Sequence, residues 1–123
     1  MLEGQRVLVV EDEMLVLMAI EDMLSDLGCT SISVAGSVDK ALRLIETEHF
    51  DLATIDVNLN GVRSYPVASA LAARGVPFAF STGYGEHGID EGFGARPVLN
   101  KPYSAAQFMA VMATLMAPAP LSA

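Results

Sequence analysis

Arg6-Val7-Leu8-Val9-Val10-Glu11-Asp12-Glu13 decides how the rest of the chain is read: an unbroken aliphatic run stops dead on three acids. A continuous run of this kind reads as a strand covered on both faces, as the strands of parallel sheets are. Outward from it, Met14 to Leu27 carries neither Gly nor Pro and reads as a helix, with Gly28 as its stop. Thr30 to Val34 reads as a second, weaker strand. Ser37 then stands as an N-cap, with Lys40, Ala41, Leu42, Leu44 and Ile45 behind it at helical spacing. Asp51 to Ile55 forms a third strand that runs into Asp56.

The same alternation fills the second half. Gly61 marks a loop, Pro66 to Arg74 reads as a short helix closed by Gly75, and Pro77 to Ser81 as a fourth strand. The stretch from Gly83 to Gly94 holds so many glycines that any helix there is expected to be short or mobile. Pro97-Val98-Leu99 reads as a brief fifth strand. Ser104 caps a last helix with Phe108, Val111, Met112 and Leu115 on one face, and an Ala-Pro-Ala-Pro tail cannot continue it. Met109, Met112 and Met116 on that helix suit either plain core or adaptable contacts. Strand and helix alternating in this way predict an α/β fold, an open parallel sheet with helices on both faces.

The 123 residues fit one domain, with a core over about 6–116 and a short tail. A net charge of −8 argues against a nucleic-acid partner, which would call for a basic footprint. Cys29 has no second cysteine to pair with, which suits a reducing cytoplasm, and reads as a small apolar residue. No apolar run approaches the roughly 20 residues that span a bilayer, and no secretory pattern opens the chain. A soluble, cytoplasmic protein is expected.

Ligands of open parallel sheets sit beyond the carboxyl ends of the strands. The residues just past strands one, three, four and five are Glu11-Asp12, Asp56, Thr82 and Lys101. Taken singly, each has an ordinary reading. Acids are welcome at a helix start, Asp is a common turn residue, and Lys-Pro can be a surface turn. Taken together they bring three carboxylates, a hydroxyl and an ammonium to one edge. Converging carboxylates need a compensating cation, and oxygen ligands without His or Cys favour a hard one, with Mg2+ the first choice for phosphate chemistry. An Asp in this setting can act as a nucleophile that forms an acyl phosphate, with the ammonium and the hydroxyl receiving the phosphoryl oxygens.

The segments Val9-Val10-Glu11-Asp12-Glu13, Ile55-Asp56-Val57-Asn58, Ser81-Thr82-Gly83 and Asn100-Lys101-Pro102-Tyr103 resemble, in order, the motifs of response-regulator receiver domains. The resemblance covers Arg6 to about Met116 and implies a single-domain flavodoxin-like (βα)5 fold with sheet order 2-1-3-4-5. It implies Asp56 as the phosphoacceptor in a two-component phosphorelay. Mg2+ would be held by Asp12, by Glu11 largely through water, by Asp56 and by the Asn58 backbone carbonyl. Thr82 and Lys101 would meet the phosphoryl group. The implied donor is a phosphohistidine on a sensor histidine kinase or histidine phosphotransfer protein, with small acyl phosphates as substitutes. The implied output is a downstream protein bound through the last strand and helix, and a homodimer on activation. The family catalyses only its own phosphorylation and slow dephosphorylation.

In one respect the chain departs from the family. Many receivers carry an aromatic switch three residues before the lysine, where this chain has Val98. Phe80-Ser81-Thr82-Gly83-Tyr84 resembles a receiver subgroup with a Phe-Ala-Thr-Gly signature, in which Tyr84 is the candidate replacement or simply a loop aromatic. With only the Ala/Pro tail after the last helix, the chain is expected to be a single-domain regulator or the receiver of a hybrid kinase. Three alternatives fit the residues less well. A phospho-aspartate hydrolase of the haloacid-dehalogenase kind carries Asp-x-Asp, and Asn58 cannot donate the carboxyl proton that speeds turnover. A flavin carrier would want a phosphate-cradling loop where Glu11-Asp12-Glu13 stands. A receiver that works without phosphorylation would have little use for so complete a set of site residues.

Overall fold

β1 (Arg6–Val10) sorts its side chains by parity into two cores, as a strand buried on both faces must. Leu8 and Val10 join one cluster; Val7 and Val9 join the other. The computed structural model describes residues 1–83, 93 and 96–117. After β1 come α1 (Met14–Asp26), β2 (Ser31–Ala35), α2 (Val38–Thr47), β3 (Leu52–Asp56), β4 (Asn58–Leu59), β5 (Val62–Arg63), α3 (Tyr65–Ala73), β6 (Phe78–Thr82), β7 (Val98–Asn100) and α4 (Ala105–Met116).

The main sheet runs β2-β1-β3-β6-β7, every neighbouring pair parallel. Counting its strands alone, this is the expected order 2-1-3-4-5. Helices α2 and α3 cover one face through Ala41, Ile45, Val67, Ala68 and Leu71. Helices α1 and α4 cover the other through Ile20, Leu24, Phe108, Met112 and Leu115, with Leu2 tucked beneath them. Of the three methionines on α4, Met112 is buried, whereas Met109 and Met116 are 47% and 37% exposed.

Local chemistry explains most boundaries. Ser37 accepts a hydrogen bond from the Lys40 N–H, and Ser104 with Gln107 completes a reciprocal capping box, so α2 and α4 start where expected. Pro77 and Pro97 have no N–H to give, but their carbonyls accept from Ala53 and Phe80, so β6 and β7 each begin one residue later than the sequence suggests. β2 is likewise shifted by one, running to Ala35, and Asp56 and Thr82 are the last residues of their strands rather than the first beyond them. The β4–β5 hairpin replaces a plain loop at Gly61; Asn60 and Gly61 both take positive φ, as a two-residue hairpin turn requires. The segment from Gly83 to Gly94 that was expected to hold a short or mobile helix lies, apart from Gly83 and Phe93, outside the described residues. So does Tyr84. Phe93 stacks on Tyr65 with centroids 5.5 Å apart and closes an aromatic cluster with Phe78 and Phe80. No helix among the described residues is long and apolar enough to cross a membrane.

Leu24 is fully buried between α1 and the sheet, whereas Leu15 on the same helix is 81% exposed. Leu24→Ala should therefore lower the unfolding free energy by about 2–5 kcal/mol, and Leu15→Ala by less than about 0.5 kcal/mol, as read by urea denaturation.

Candidate phosphoacceptor and metal site

The order of the main sheet reverses between β1 and β3, and the acidic residues lie at the carboxyl ends of those two strands. Glu11 continues the parity of Val7 and Val9, and Asp56 that of Leu52 and Thr54, so both carboxylates come off the face covered by α1 and α4. Asp12 stands beside them. One carboxylate oxygen from each of Glu11, Asp12 and Asp56 lies within 4.8 Å of the others. The helix-start alternative for Glu11 and Asp12 does not describe what they do. The first turn of α1 contains no acid, and Glu13 holds the cap position with no side-chain cap bond. Glu11 Oε2 instead accepts the Glu13 N–H at 3.1 Å, ahead of the helix.

Asp56 is held on both oxygens. Oδ1 accepts the Asn58 N–H at 3.0 Å, and Oδ2 accepts from the Lys101 ammonium at 2.9 Å. The same ammonium lies 3.1 Å from Glu11 Oε1. Lys101 reaches this point because β7 is tied to β6: its N–H donates to the Thr82 carbonyl at 2.8 Å. Its bond to Pro102 is cis. Thr82 is buried, and with Glu13, Asp56, Asn58, Gly83 and Lys101 it lines an open cleft above the acids. Glu11, Asp12, Asp56, Asn58, Thr82 and Lys101 are thus brought together at one edge of the sheet. Tyr84 lies outside the described residues, and Val98 is a half-buried neighbour of Phe80 in the strand register.

Two features escaped the sequence reading. Asp12 Oδ2 accepts the Asn60 N–H at 3.1 Å, which ties the β4–β5 hairpin to the acidic cluster. The signal for that hairpin was present as Asn60-Gly61 between Leu59 and Val62. At the cluster, Ser81 and Tyr103 bury hydroxyls that complete no hydrogen bond of ordinary geometry. Both lie inside the motif segments Ser81-Thr82-Gly83 and Asn100-Lys101-Pro102-Tyr103, but nothing in the spacing says that the two hydroxyls share one place.

A donor set of three carboxylates fits a hard divalent cation. The electrostatics agree. Burial pushes the Glu11 carboxyl up to about 7, with the nearby Asp56 charge adding to the rise while the Glu13 N–H and Lys101 oppose it. Burial also works against the Lys101 ammonium, but its hydrogen bond and attraction to Asp56, then Glu11, outweigh that and raise its pKa.

A stability measurement should show this directly. Folded Glu11 holds its proton more tightly than the unfolded chain does, so from about pH 4.5 to about 7 unfolding releases protons. Without divalent cation, stability should fall across that window as pH rises, by on the order of 2 kcal/mol. Lys101 adds nothing there, because its raised pKa matters only at far higher pH. Glu11→Gln should flatten the curve; equal slopes for wild type and variant would refute the assignment.

Comparison with known proteins bears on the family and the fold. The response regulator receiver domain family matches residues 7–113. SdrG from Sphingomonas melonis Fr1, in its solution structure, superposes with a TM-score of 0.83 at 41% identity, over 92% of this chain and 97% of that one. The receiver domain of sensor histidine kinase PA1611 from Pseudomonas aeruginosa PAO1, whose crystal structure has a magnesium ion coordinated in the active site cleft, gives 0.79 at 25% identity over 91% and 97%. The transcriptional regulatory protein PdtaR of Mycobacterium tuberculosis is 31% identical over 104 residues, 81% of this chain and 51% of that protein. The chain therefore spans about half the length of the curated relative it matches. With its parallel sheet, its acidic edge and a family match over nearly all its length, the chain belongs to the response-regulator receiver domains of two-component signalling.

Proposed function

We propose that this domain accepts a phosphoryl group on Asp56 from the phosphohistidine of a sensor histidine kinase or histidine phosphotransfer protein, and that the modification changes which protein it binds. The observation that carries the reading is the setting of Asp56. It is a nearly buried carboxylate at a strand end, oriented by the Asn58 N–H and the Lys101 ammonium and flanked by Glu11 and Asp12. A carboxylate fixed in this way can present an oxygen to phosphorus in line with the leaving nitrogen. The new O–P bond forms as the P–N bond breaks. The nitrogen keeps the electron pair and takes up a proton from water.

Glu11, Asp12, Asp56 and the Asn58 carbonyl are the residues to hold Mg2+. When bound, it supplies positive charge against the carboxylates and the phosphoryl oxygens. Lys101 adds a second positive charge from the protein, and Thr82, which lines the same cleft, a hydroxyl. Lys101 pairs with Asp56 before any phosphoryl group arrives, so transfer asks it only to follow the charge outward. The proposed output surface is β7 with α4, where Met109 and Met116 are exposed beside the buried Met112. Met side chains there suit contacts that must adapt. A homodimer through the same face, and a cytoplasmic setting, belong to the same proposal.

Intact-mass spectrometry after incubation with acetyl phosphate and Mg2+ tests the chemistry. Wild type should gain one phosphoryl group, Asp56→Asn none, and Thr82→Ala or Lys101→Ala should be labelled at least about tenfold more slowly. No gain in wild type would leave an interaction module that works without phosphorylation. The cation has its own readout. Because Asp12 holds the Asn60 N–H, Mg2+ should move the Asn60 amide resonance in wild type and much less in Asp12→Asn. An Asn60 resonance indifferent to Mg2+ would remove Asp12 from the ligand set.

A further inference from the structure

Three buried oxygens at the acidic cluster complete no hydrogen bond of ordinary geometry: Glu11 Oε1, Ser81 Oγ and the Tyr103 hydroxyl, the last two close enough to interact with each other. An unmade hydrogen bond on a buried polar atom is costly, and three such atoms in one place ask for a joint explanation. Thr54 Oγ1 is also unpartnered but lies one residue pair deeper, beside Val9 and Ala79 in the register.

Their placement follows from the sheet. Ser81 pairs with Asp56 in the β3–β6 register and continues the parity of Ala79, so its side chain leaves the sheet on the same face as Asp56 and Glu11. Ser81 is only 2% exposed. Tyr103 follows Lys101-Pro102 and stacks its ring on Phe108 of α4, centroids 6.1 Å apart. This sends the phenol end inward, beside Ser81 and within electrostatic reach of Glu11, Lys101 and Asp56.

Proton counting gives the arrangement a direction. Each hydroxyl has one proton to donate. A Ser–Tyr hydrogen bond uses one of the two, and the second still needs an acceptor. Glu11 Oε1 is the nearest buried acceptor: Lys101 stands 3.1 Å away as its ion-pair partner, and a carboxylate oxygen has a second lone pair to offer a hydroxyl. Oε2 already takes the Glu13 N–H, so a donor to Oε1 would fix both oxygens and hence the plane of the carboxylate.

We propose that Ser81 and Tyr103 are positioning residues, a hydroxyl pair whose unshared proton bonds Glu11 Oε1, directly or across one bridging water, and so orients Glu11 toward the cation. The proposal rests on the reading of Glu11 as part of a Mg2+ site. It gives Tyr103 a role through its oxygen as well as its ring, and Ser81 a role distinct from that of Thr82.

Tyr103→Phe removes a single oxygen and keeps the Phe108 stack; Ser81→Ala removes the other hydroxyl. Mg2+ affinity should be measured by the Asn58 and Asn60 amide shifts, together with the Mg2+ dependence of acetyl phosphate labelling. Each variant should raise the half-saturating Mg2+ concentration about tenfold, the worth of one hydrogen bond to a charged group. The maximal labelling rate at saturating Mg2+ should stay within about twofold, which a general loosening of the site would not preserve. The double variant should be little worse than either single one, because the two hydroxyls act as one unit. Unchanged Mg2+ affinity in Tyr103→Phe, or effects that simply add, would overturn the proposal. If wild type is labelled normally but Tyr103→Phe binds Mg2+ as wild type does, the positioning role fails and the phosphoacceptor reading stands. If wild type is not labelled while Tyr103→Phe loses Mg2+ affinity, the reverse holds.

Discussion

The Lys101 ammonium, 2.9 Å from Asp56 Oδ2 and 3.1 Å from Glu11 Oε1, is the contact on which the carboxyl edge of the sheet depends. Buried charge is tolerable only when it is paired, and Glu11 and Asp56 are both nearly buried. One ammonium cannot balance three carboxylates. Burial pushes the Glu11 carboxyl up to about 7, and the uncompensated Asp56 charge adds to the rise. The protein has accepted an electrostatic cost at this edge that a better core-forming residue would have avoided. Such a cost at a sheet's switch point is what the proposed site for a cation and an anionic ligand would impose.

The sheet earns its precision from parity. In β1, β3 and β6, every second side chain belongs to the α1/α4 core until the strand ends, where the next in the series is Glu11, Asp56 or Ser81. The rows that anchor the strands in the core are the rows that aim the polar groups. A slip of one residue in any of these strands would turn its functional group to the opposite face. The apolar rows leave no freedom for that. Packing of Val7, Val9, Leu52 and Ala79 therefore sets the geometry of a site that none of them touches.

Most of this was legible in the sequence because buried parallel strands write themselves as uninterrupted apolar runs, and because four of them end on chemically related residues. The Ser37 and Ser104 caps were legible for a similar reason: a capping hydroxyl acts within one turn. The β4–β5 hairpin was less so, although Asn60-Gly61 announces such a turn, because strands of two residues show no alternation to flank it. Strand starts were misplaced by one at Pro77 and Pro97, where the carbonyl belongs to the sheet and the nitrogen cannot. The Ser81–Tyr103 pair was invisible. Its two members lie on different elements and meet only because Tyr103 stacks on Phe108.

Asn58 shows why the position two beyond Asp56 matters to the choice between signal and hydrolase. Its backbone N–H donates to Asp56 Oδ1, and its side-chain Oδ1 accepts the Gly61 N–H at 2.7 Å. The amide oxygen is thus engaged in closing the β4–β5 turn. A carboxylic acid at this position could protonate a leaving group or activate water, whereas an amide has no such proton to exchange. Bound as it is to the hairpin, the Asn58 side chain is also turned to a structural task. On the proposed reading, a phosphoryl group carried by Asp56 would find no acid or base at position 58 to speed its loss.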